Sequence, residues 1–103
     1  MNHFEAFVPD AKIDYLLTDE TKRGLFLSLG YTVSHAEELR QGLLAIIRTQ
    51  PIISTVETEY GTIYNIVGYL NTPKRGMFAV RTGWMVEANK TAPRFLTAFP
   101  QRG

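Results

Sequence analysis

The hydrophobic period of the chain changes once, at Pro51, and this change most constrains the fold. Before Pro51, apolar residues recur at the three- and four-residue spacing of helices. The clearest series is Ala36, Leu39, Leu43, Ile46 and Ile47. After Pro51, apolar and polar residues alternate, as in residues 52–60, which is typical of a strand with one solvated face. A helical half followed by a strand half predicts an α+β fold.

Start and stop signals divide the first half into two or three helices. Two short amphipathic stretches, over about residues 11–17 and 20–29, are followed by Gly30, a typical left-handed helix stop. Ser34 and Glu37 then form the capping-box pattern that predicts the start of a third and longer helix.

The second half contains four strand-like stretches separated by turn residues. They lie at about residues 52–60, 62–70, 77–87 and 93–99. Gly61 is predicted to adopt a positive φ in the first turn. Because the connections are short, successive strands are expected to pair antiparallel. The prediction is a single α+β domain over residues 1–103, in which two or three N-terminal helices (about 10–50) pack on one face of a four-stranded antiparallel meander sheet (about 52–100).

The third strand has two chemically different faces. The apolar face is assigned to the core beneath the helices: Phe78, Val80, Trp84 and Val86. The other face is mixed and is predicted to remain uncovered: Met77, Ala79, Arg81, Gly83 and Met85. A glycine inside a strand, such as Gly83, indicates a bulge or the close approach of another group.

The composition excludes several classes of function. The chain has no cysteine, so it cannot form a disulfide, a zinc ribbon or a thiol nucleophile. No cluster of metal ligands and no phosphate-binding glycine loop is present in the sequence, so neither a metal nor a cofactor is expected. The first residues lack the pattern of a signal peptide, and no apolar run is long enough to cross a membrane. A cytoplasmic protein without membrane partners is therefore expected.

Charge is distributed unevenly along the chain. Residues 1–51 carry five basic and seven acidic residues, whereas residues 52–103 carry six basic and three acidic residues. The overall net charge is only +1, too close to neutral to indicate nucleic-acid binding by itself. The sheet half is nevertheless the part that an anionic ligand would prefer.

A basic and hydroxyl-rich set of residues is the best candidate for chemistry. Its members are Lys22, Arg23, Thr62, Tyr64, Arg81, Arg94 and Thr97. Arginine and lysine can hold a phosphate, and tyrosine and threonine can position a proton, so the set fits metal-free cleavage of a phosphodiester. Spacing alone favours a simpler interpretation, in which Arg81 and Arg94 pair with Glu57 or Glu59 across strands.

Five short motifs give the chain a family resemblance. They are Asp14–Leu17 (DYLL), Lys22–Phe26 (KRGLF), Glu59–Tyr64 (EYGTIY), Arg81–Trp84 (RTGW) and Pro93–Pro100 (PRFLTAFP). Together they resemble an uncharacterised bacterial family, common in cyanobacteria, whose members are small stand-alone proteins or the C-terminal modules of polymorphic toxins. The resemblance extends from about residue 11 to residue 100.

The resemblance implies similarity to the barnase–EndoU–colicin–RelE-like ribonuclease toxins, which cleave RNA without metal on the open face of an antiparallel sheet. The residues that it points to are Lys22, Tyr64, Arg81, Arg94 and Thr97. By this resemblance the arginines hold the phosphate, the lysine stabilises charge, and the tyrosine or threonine orients the sugar hydroxyl. RNA and a cognate neutralising protein are the implied partners.

Two departures from the family pattern leave a second hypothesis open. The final motif has Phe99 where the family has tyrosine, and no histidine lies in the predicted sheet. General acid–base catalysis therefore lacks its usual agent near neutral pH. The alternative is a non-catalytic protein- or RNA-interaction module, which predicts an apolar patch around Met77 and Met85 on the open face.

Overall fold

Three α-helices precede a four-stranded sheet, as predicted. The computed structural model describes residues 2–18 and 20–101, with side chains described in these ranges except at 20–23. The helices are α1 (Asp10–Thr18), α2 (Glu20–Ser28) and α3 (Ala36–Thr49), and short 3₁₀ turns span His3–Glu5 and Val33–His35. The strands are β1 (Ile52–Thr58), β2 (Gly61–Thr72), β3 (Gly76–Glu87) and β4 (Arg94–Pro100).

Helix α2 ends in the left-handed stop that the sequence predicted. Gly30 has a φ of 95°, and the Tyr31 amide donates to the Phe26 carbonyl at 3.0 Å, as in a Schellman motif. The capping box predicted at the start of α3 is not formed, because the Glu37 side chain has other hydrogen-bond partners. Its carboxylate accepts hydrogen bonds from Arg40 and Gln41, which lie three and four residues further along α3, so it does not turn back to cap the helix.

The sheet is an antiparallel meander with strand order β1-β2-β3-β4. Gly61 opens β2 with a φ of 151°, which confirms its predicted positive φ. Residues directly opposite each other in such a sheet project from the same face, and successive residues alternate. The two faces are therefore set by the register, and they are called here the helix-facing side and the open face.

The helix-facing side carries the core. Val80, Trp84 and Phe95 are fully buried against the helices, which confirms the predicted assignment of the Trp84 side. Polar atoms within this core are paired: Trp84 Nε1 donates to Thr82 Oγ1 at 2.8 Å, and Thr82 Oγ1 donates to the Ile66 carbonyl at 2.7 Å. Removal of one of these partners would leave a buried polar group without a hydrogen bond and would lower the free energy of unfolding.

Helix α3 lies against β2 at a glycine. A Cβ atom at Gly68 would come within 2.7 Å of Ile46 Cγ1, so the lack of a side chain at Gly68 is what allows the helix to approach so closely.

The N-terminal segment covers the outer edge of β4. Phe7 forms a parallel bridge with Arg94; its amide donates to the Pro93 carbonyl and its carbonyl accepts from the Phe95 amide, both at 3.0 Å. The His3 Nδ1–H donates to the carbonyl of Ile47, at the end of α3, at 3.1 Å. No helix in the described ranges is long and apolar enough to cross a membrane.

Candidate functional site

The open face brings together three of the five residues that the sequence predicted for the site. Arg81, Thr97 and Arg94 all project from it, because Arg81 lies opposite Phe99, Gly83 opposite Thr97, and Met85 opposite Arg94. The three polar side chains therefore form a diagonal band across β3 and β4. At the strand rise of about 3.3 Å per residue, Arg81 and the row of Arg94 are about 13 Å apart along β3.

A β-bulge in β4 is what places Arg94 on this face. Gly83 pairs with Thr97 but the next residue, Trp84, pairs with Phe95, so Leu96 is an extra residue on β4. Without the bulge, strict alternation would turn Arg94 toward the helices. The sequence indicated a bulge or a close approach at Gly83, and the structure has a bulge next to Gly83, with the extra residue on the neighbouring strand β4.

Gly83 forms the middle of the band. A Cβ atom built there would lie 3.7 Å from Asn65 Oδ1, 3.8 Å from Thr97 Cγ2 and 4.0 Å from Ile63 Cγ2. The backbone of β3 is therefore flanked by an amide on one side and by a threonine on the other. The described part of the chain encloses no pocket, so any ligand of this face binds to a surface.

Arg81 is bonded to a neutral partner. Its Nη2 donates to Ser54 Oγ at 3.4 Å, and the Asn65 amide donates to the same oxygen at 3.1 Å. Among the described residues no carboxylate forms an ion pair with Arg81. The predicted alternative, a pairing of Arg81 with Glu57 or Glu59, is therefore not found, and the positive charge of Arg81 remains available to an anion.

Arg94 has an acidic neighbour. Its Nε lies 3.5 Å from Glu87 Oε1, and Lys90 Nζ lies 3.4 Å from Glu87 Oε2. The groups are partly exposed, and exposed ion pairs contribute only about 0–1 kcal/mol, so an incoming phosphate can replace the carboxylate. In this structure the Arg81 and Arg94 side chains are directed to different neighbours and do not meet at one point.

Tyr64 lies on the other side of the sheet. It pairs with Trp84, so it projects from the helix-facing side and does not converge with Arg81 and Arg94. Lys22 lies among the residues whose side chains are not described.

The open face also has an apolar part, at the end nearest the β2–β3 turn. The exposed fraction is 62% for Tyr69, 63% for Met77 and 38% for Phe99, whereas Met85 is only 8% exposed. The apolar patch predicted by the alternative hypothesis is therefore present around Met77 and absent at Met85.

The residues that form this face lie within a recognised sequence family. Residues 2–102 match the family described as a domain of unknown function, DUF6883. The chain belongs to this family. The predicted membership of an uncharacterised family is thereby confirmed.

The fold of this DUF6883 chain is similar to a solved structure. One chain of a contact-dependent growth inhibition toxin–immunity protein complex from Klebsiella pneumoniae 342 aligns with a TM-score of 0.71. The alignment covers 98% of this chain and 97% of that chain at 17% sequence identity, which shows a shared fold. No curated protein sequence matches the DUF6883 chain.

Sequence reasoning missed two polar residues of the DUF6883 open face, Ser54 and Asn65. The period-two pattern of β1 places Ser54 and Val56 on one face of that strand, which was a signal for Ser54. The face of Asn65 depends on the register between β2 and β3, so no local pattern could assign it. Among the side chains that the structure describes, no three histidines or carboxylates lie close enough together to hold a metal ion.

Proposed function

We propose that this chain is a ribonuclease-like toxin domain that acts on RNA through its open face without a metal ion. The proposal is supported above all by Arg81, which projects from the same sheet face as Thr97 and Arg94 and has no carboxylate partner among the described residues. Guanidinium groups bind phosphate with charge-assisted hydrogen bonds and stabilise the charge that develops during its cleavage.

The chemistry proposed is transesterification within the RNA chain. The 2′-hydroxyl oxygen attacks the adjacent phosphorus, the bond from phosphorus to the 5′-oxygen breaks, and a 2′,3′-cyclic phosphate and a 5′-hydroxyl result. Arg94 would hold the phosphate that is cleaved, Arg81 would hold another phosphate further along the strand, and the Thr97 hydroxyl would orient the sugar. The Glu87 carboxylate, beside Arg94 on the same face, would take the 2′-hydroxyl proton, and the leaving 5′-oxygen would take a proton from a water molecule.

A cognate neutralising protein belongs to the same proposal. The support is the shared fold with a chain from a toxin–immunity protein complex. A neutralising protein that covers the open face would block access of RNA to Arg81 and Arg94 without any change in the domain itself.

The test is cleavage of RNA by the purified protein in the presence of a metal chelator. Products with 2′,3′-cyclic phosphate ends are expected, and Arg94→Ala should lower the rate by about 10²- to 10³-fold, the usual effect of losing one group that stabilises a transition state. Arg48→Ala is the matched control, because it removes the same charge from the exposed end of α3. RNA that stays intact with the wild-type protein would contradict the proposal.

A second candidate function is a non-catalytic interaction module of the same fold. The observation that favours it is the exposure of Tyr69 and Met77 on the open face, since apolar side chains clustered on a surface commonly mark a binding site. It predicts that RNA or a partner protein binds the open face and that the bound RNA is recovered uncut.

A further inference from the structure

Two exposed aromatic side chains stand on the open face, on opposite sides of β3. Tyr69 projects from β2 opposite Ala79, and Phe99 projects from β4 opposite Arg81. Both rings are exposed, Tyr69 more than Phe99. Because both residues are paired to β3, their positions relative to each other are set by the ladder and not by a loop.

Tyr69 and Phe99 lie about 12 Å apart on a diagonal across β3, so their rings form a platform that suits two neighbouring bases that are splayed apart. Strands lie about 4.8 Å apart, so β2 and β4 are about 10 Å apart, and one same-face step along a strand adds about 7 Å. Arg81 lies on β3, between the strands that carry Tyr69 and Phe99 and in the same row as Phe99, and the small Ala79 beside Tyr69 leaves its ring accessible. Two bases on the rings would place the phosphate that joins them near the Arg81 guanidinium.

The charge around the platform is complementary to a polyanion. Lys74 is exposed in the β2–β3 turn, next to the end of the sheet that carries Tyr69, whereas Arg75 in the same turn donates its Nε–H to the Ser28 carbonyl of α2 at 3.1 Å. Arg94 and Lys90 lie toward its other end, with Glu87 as the acidic residue between them. Phosphates that run along the face would meet positive charge on both sides of the aromatic pair.

We infer that Tyr69 and Phe99 stack on two unpaired bases, and that the RNA bound by the open face is single-stranded. In a duplex the base faces are stacked on each other and cannot reach a side chain, whereas unpaired bases can lie on aromatic rings. This inference rests on the proposed function and names its substrate class. A protein partner would need no such combination of flat aromatic rings flanking a guanidinium.

The test is binding of a fluorescent, fully 2′-O-methylated RNA of about 12 nucleotides, a length that covers a typical single-strand site. This RNA cannot be cleaved because its 2′-oxygens are blocked, so binding is measured apart from catalysis. Tyr69→Leu and Phe99→Leu keep apolar bulk but remove the ring, and each should weaken binding about fivefold or more, whereas Tyr69→Phe should bind like the wild type. Tyr60→Leu is the matched control, because Tyr60 is 71% exposed in the β1–β2 turn, away from the platform.

A second readout tests the contact itself. Stacking should shift the ring proton resonances of Tyr69 upfield during the titration, and those of Tyr60 should stay in place.

A duplex of the same length should bind more weakly than the single strand. Equal affinity for duplex and single strand, or unchanged affinity of Tyr69→Leu, would overturn the inference while leaving the proposed function intact. Loss of affinity for a neutralising protein in Tyr69→Leu, with RNA affinity unchanged, would overturn it in favour of a protein interface. Failure of the wild type to bind or cleave any RNA would instead reject the proposed function.

Discussion

Tyr64 lies directly opposite Trp84 in the ladder between β2 and β3. The pair shares the helix-facing side, so the Tyr64 hydroxyl is separated from Arg81 by the thickness of the sheet. Tyr64→Phe is therefore expected to leave RNA cleavage and RNA binding within about twofold of the wild type, since a substitution outside a site changes little. The cleavage rate of Tyr64→Phe is measured together with that of Arg94→Ala. A loss comparable to that of Arg94→Ala would indicate that the site lies on the helix-facing side.

The hydroxyl of Thr82 links Trp84 to the Ile66 carbonyl inside the core. Thr82→Val preserves the shape of the side chain but leaves the indole N–H of Trp84 without its partner, so the free energy of unfolding should fall by about 1–3 kcal/mol. Urea denaturation measures the change. Thr82→Ser is the control, because it keeps the hydroxyl and loses one methyl group. The explanation fails if the serine variant is the less stable of the two.

The contact between Gly68 and Ile46 predicts a strongly coupled pair. Gly68→Ala would force its Cβ into Ile46, whose branched Cβ is stiff and itself lies only 3.2 Å away, so the cost should be about 1–3 kcal/mol. In the background Ile46→Ala, which makes room, the same substitution should cost much less. A double-mutant cycle from urea denaturation gives the coupling. Additive effects of the two substitutions would contradict the close approach of α3 to β2.

Arg81 and Arg94 should each contribute to the salt dependence of RNA binding. For single strands, the slope of log association constant against log salt concentration changes by about 0.7 for each phosphate contact. Arg81→Ala and Arg94→Ala should each reduce the slope by about that amount, and the double variant by about twice as much. Binding of the 2′-O-methylated RNA at several salt concentrations measures it. Arg48→Ala should leave the slope unchanged, and a similar reduction in that control would show that the effect is one of net charge alone.

Tyr31 should make the domain less stable at high pH. Its burial, together with the nearby Glu38 carboxylate, raises the pKa of the Tyr31 phenol above its ordinary value of 10.0. The unfolded chain therefore loses this proton at a lower pH than the folded chain, and the contribution of Tyr31 to the free energy of unfolding falls as the pH rises above about 10.

Comparison of the wild type with Tyr31→Phe isolates this contribution, because the other titrating groups are common to both proteins. The advantage of the wild type in urea denaturation should be smaller at about pH 10.5 than at about pH 8. Two stability curves that stay parallel over this range would contradict the raised pKa.

The fold class and the faces of β3 could be predicted because each depends on a local pattern. Helical spacing before Pro51, alternation after it and the apolar face with Val80 and Trp84 are all visible in short windows of sequence. The helices cover the side of β3 that carries the larger apolar groups, as this pattern predicts.

The face of β2 could not be predicted because it depends on the length of one turn. A turn over residues 71–76 would pair Leu70 with Met77 and would put Tyr64 on the open face. In the structure β2 and β3 continue further into that segment, and Leu70 pairs with Phe78. A difference of one residue in register exchanges the two faces, and no local pattern reveals it.

The face of Arg94 depends on the bulge in β4. Simple alternation puts Arg94 and Thr97 on opposite faces, since they are an odd number of residues apart, and the extra residue Leu96 brings them to the same face. The family resemblance alone placed Arg94 and Thr97 in one site, and the bulge is the physical reason why they lie on the same face.

The bridge between Phe7 and Arg94 has a consequence for the order of assembly. During synthesis the N-terminal segment emerges first, yet its partner on the sheet is the last strand, so that segment stays unpaired until β4 is complete. The same strand brings Arg94 and Thr97 to the surface. A ribosome-bound chain that has not yet produced β4 therefore lacks both its closed edge and two of the three residues of its polar band, so the surface proposed to act on RNA forms only after β4 has been added.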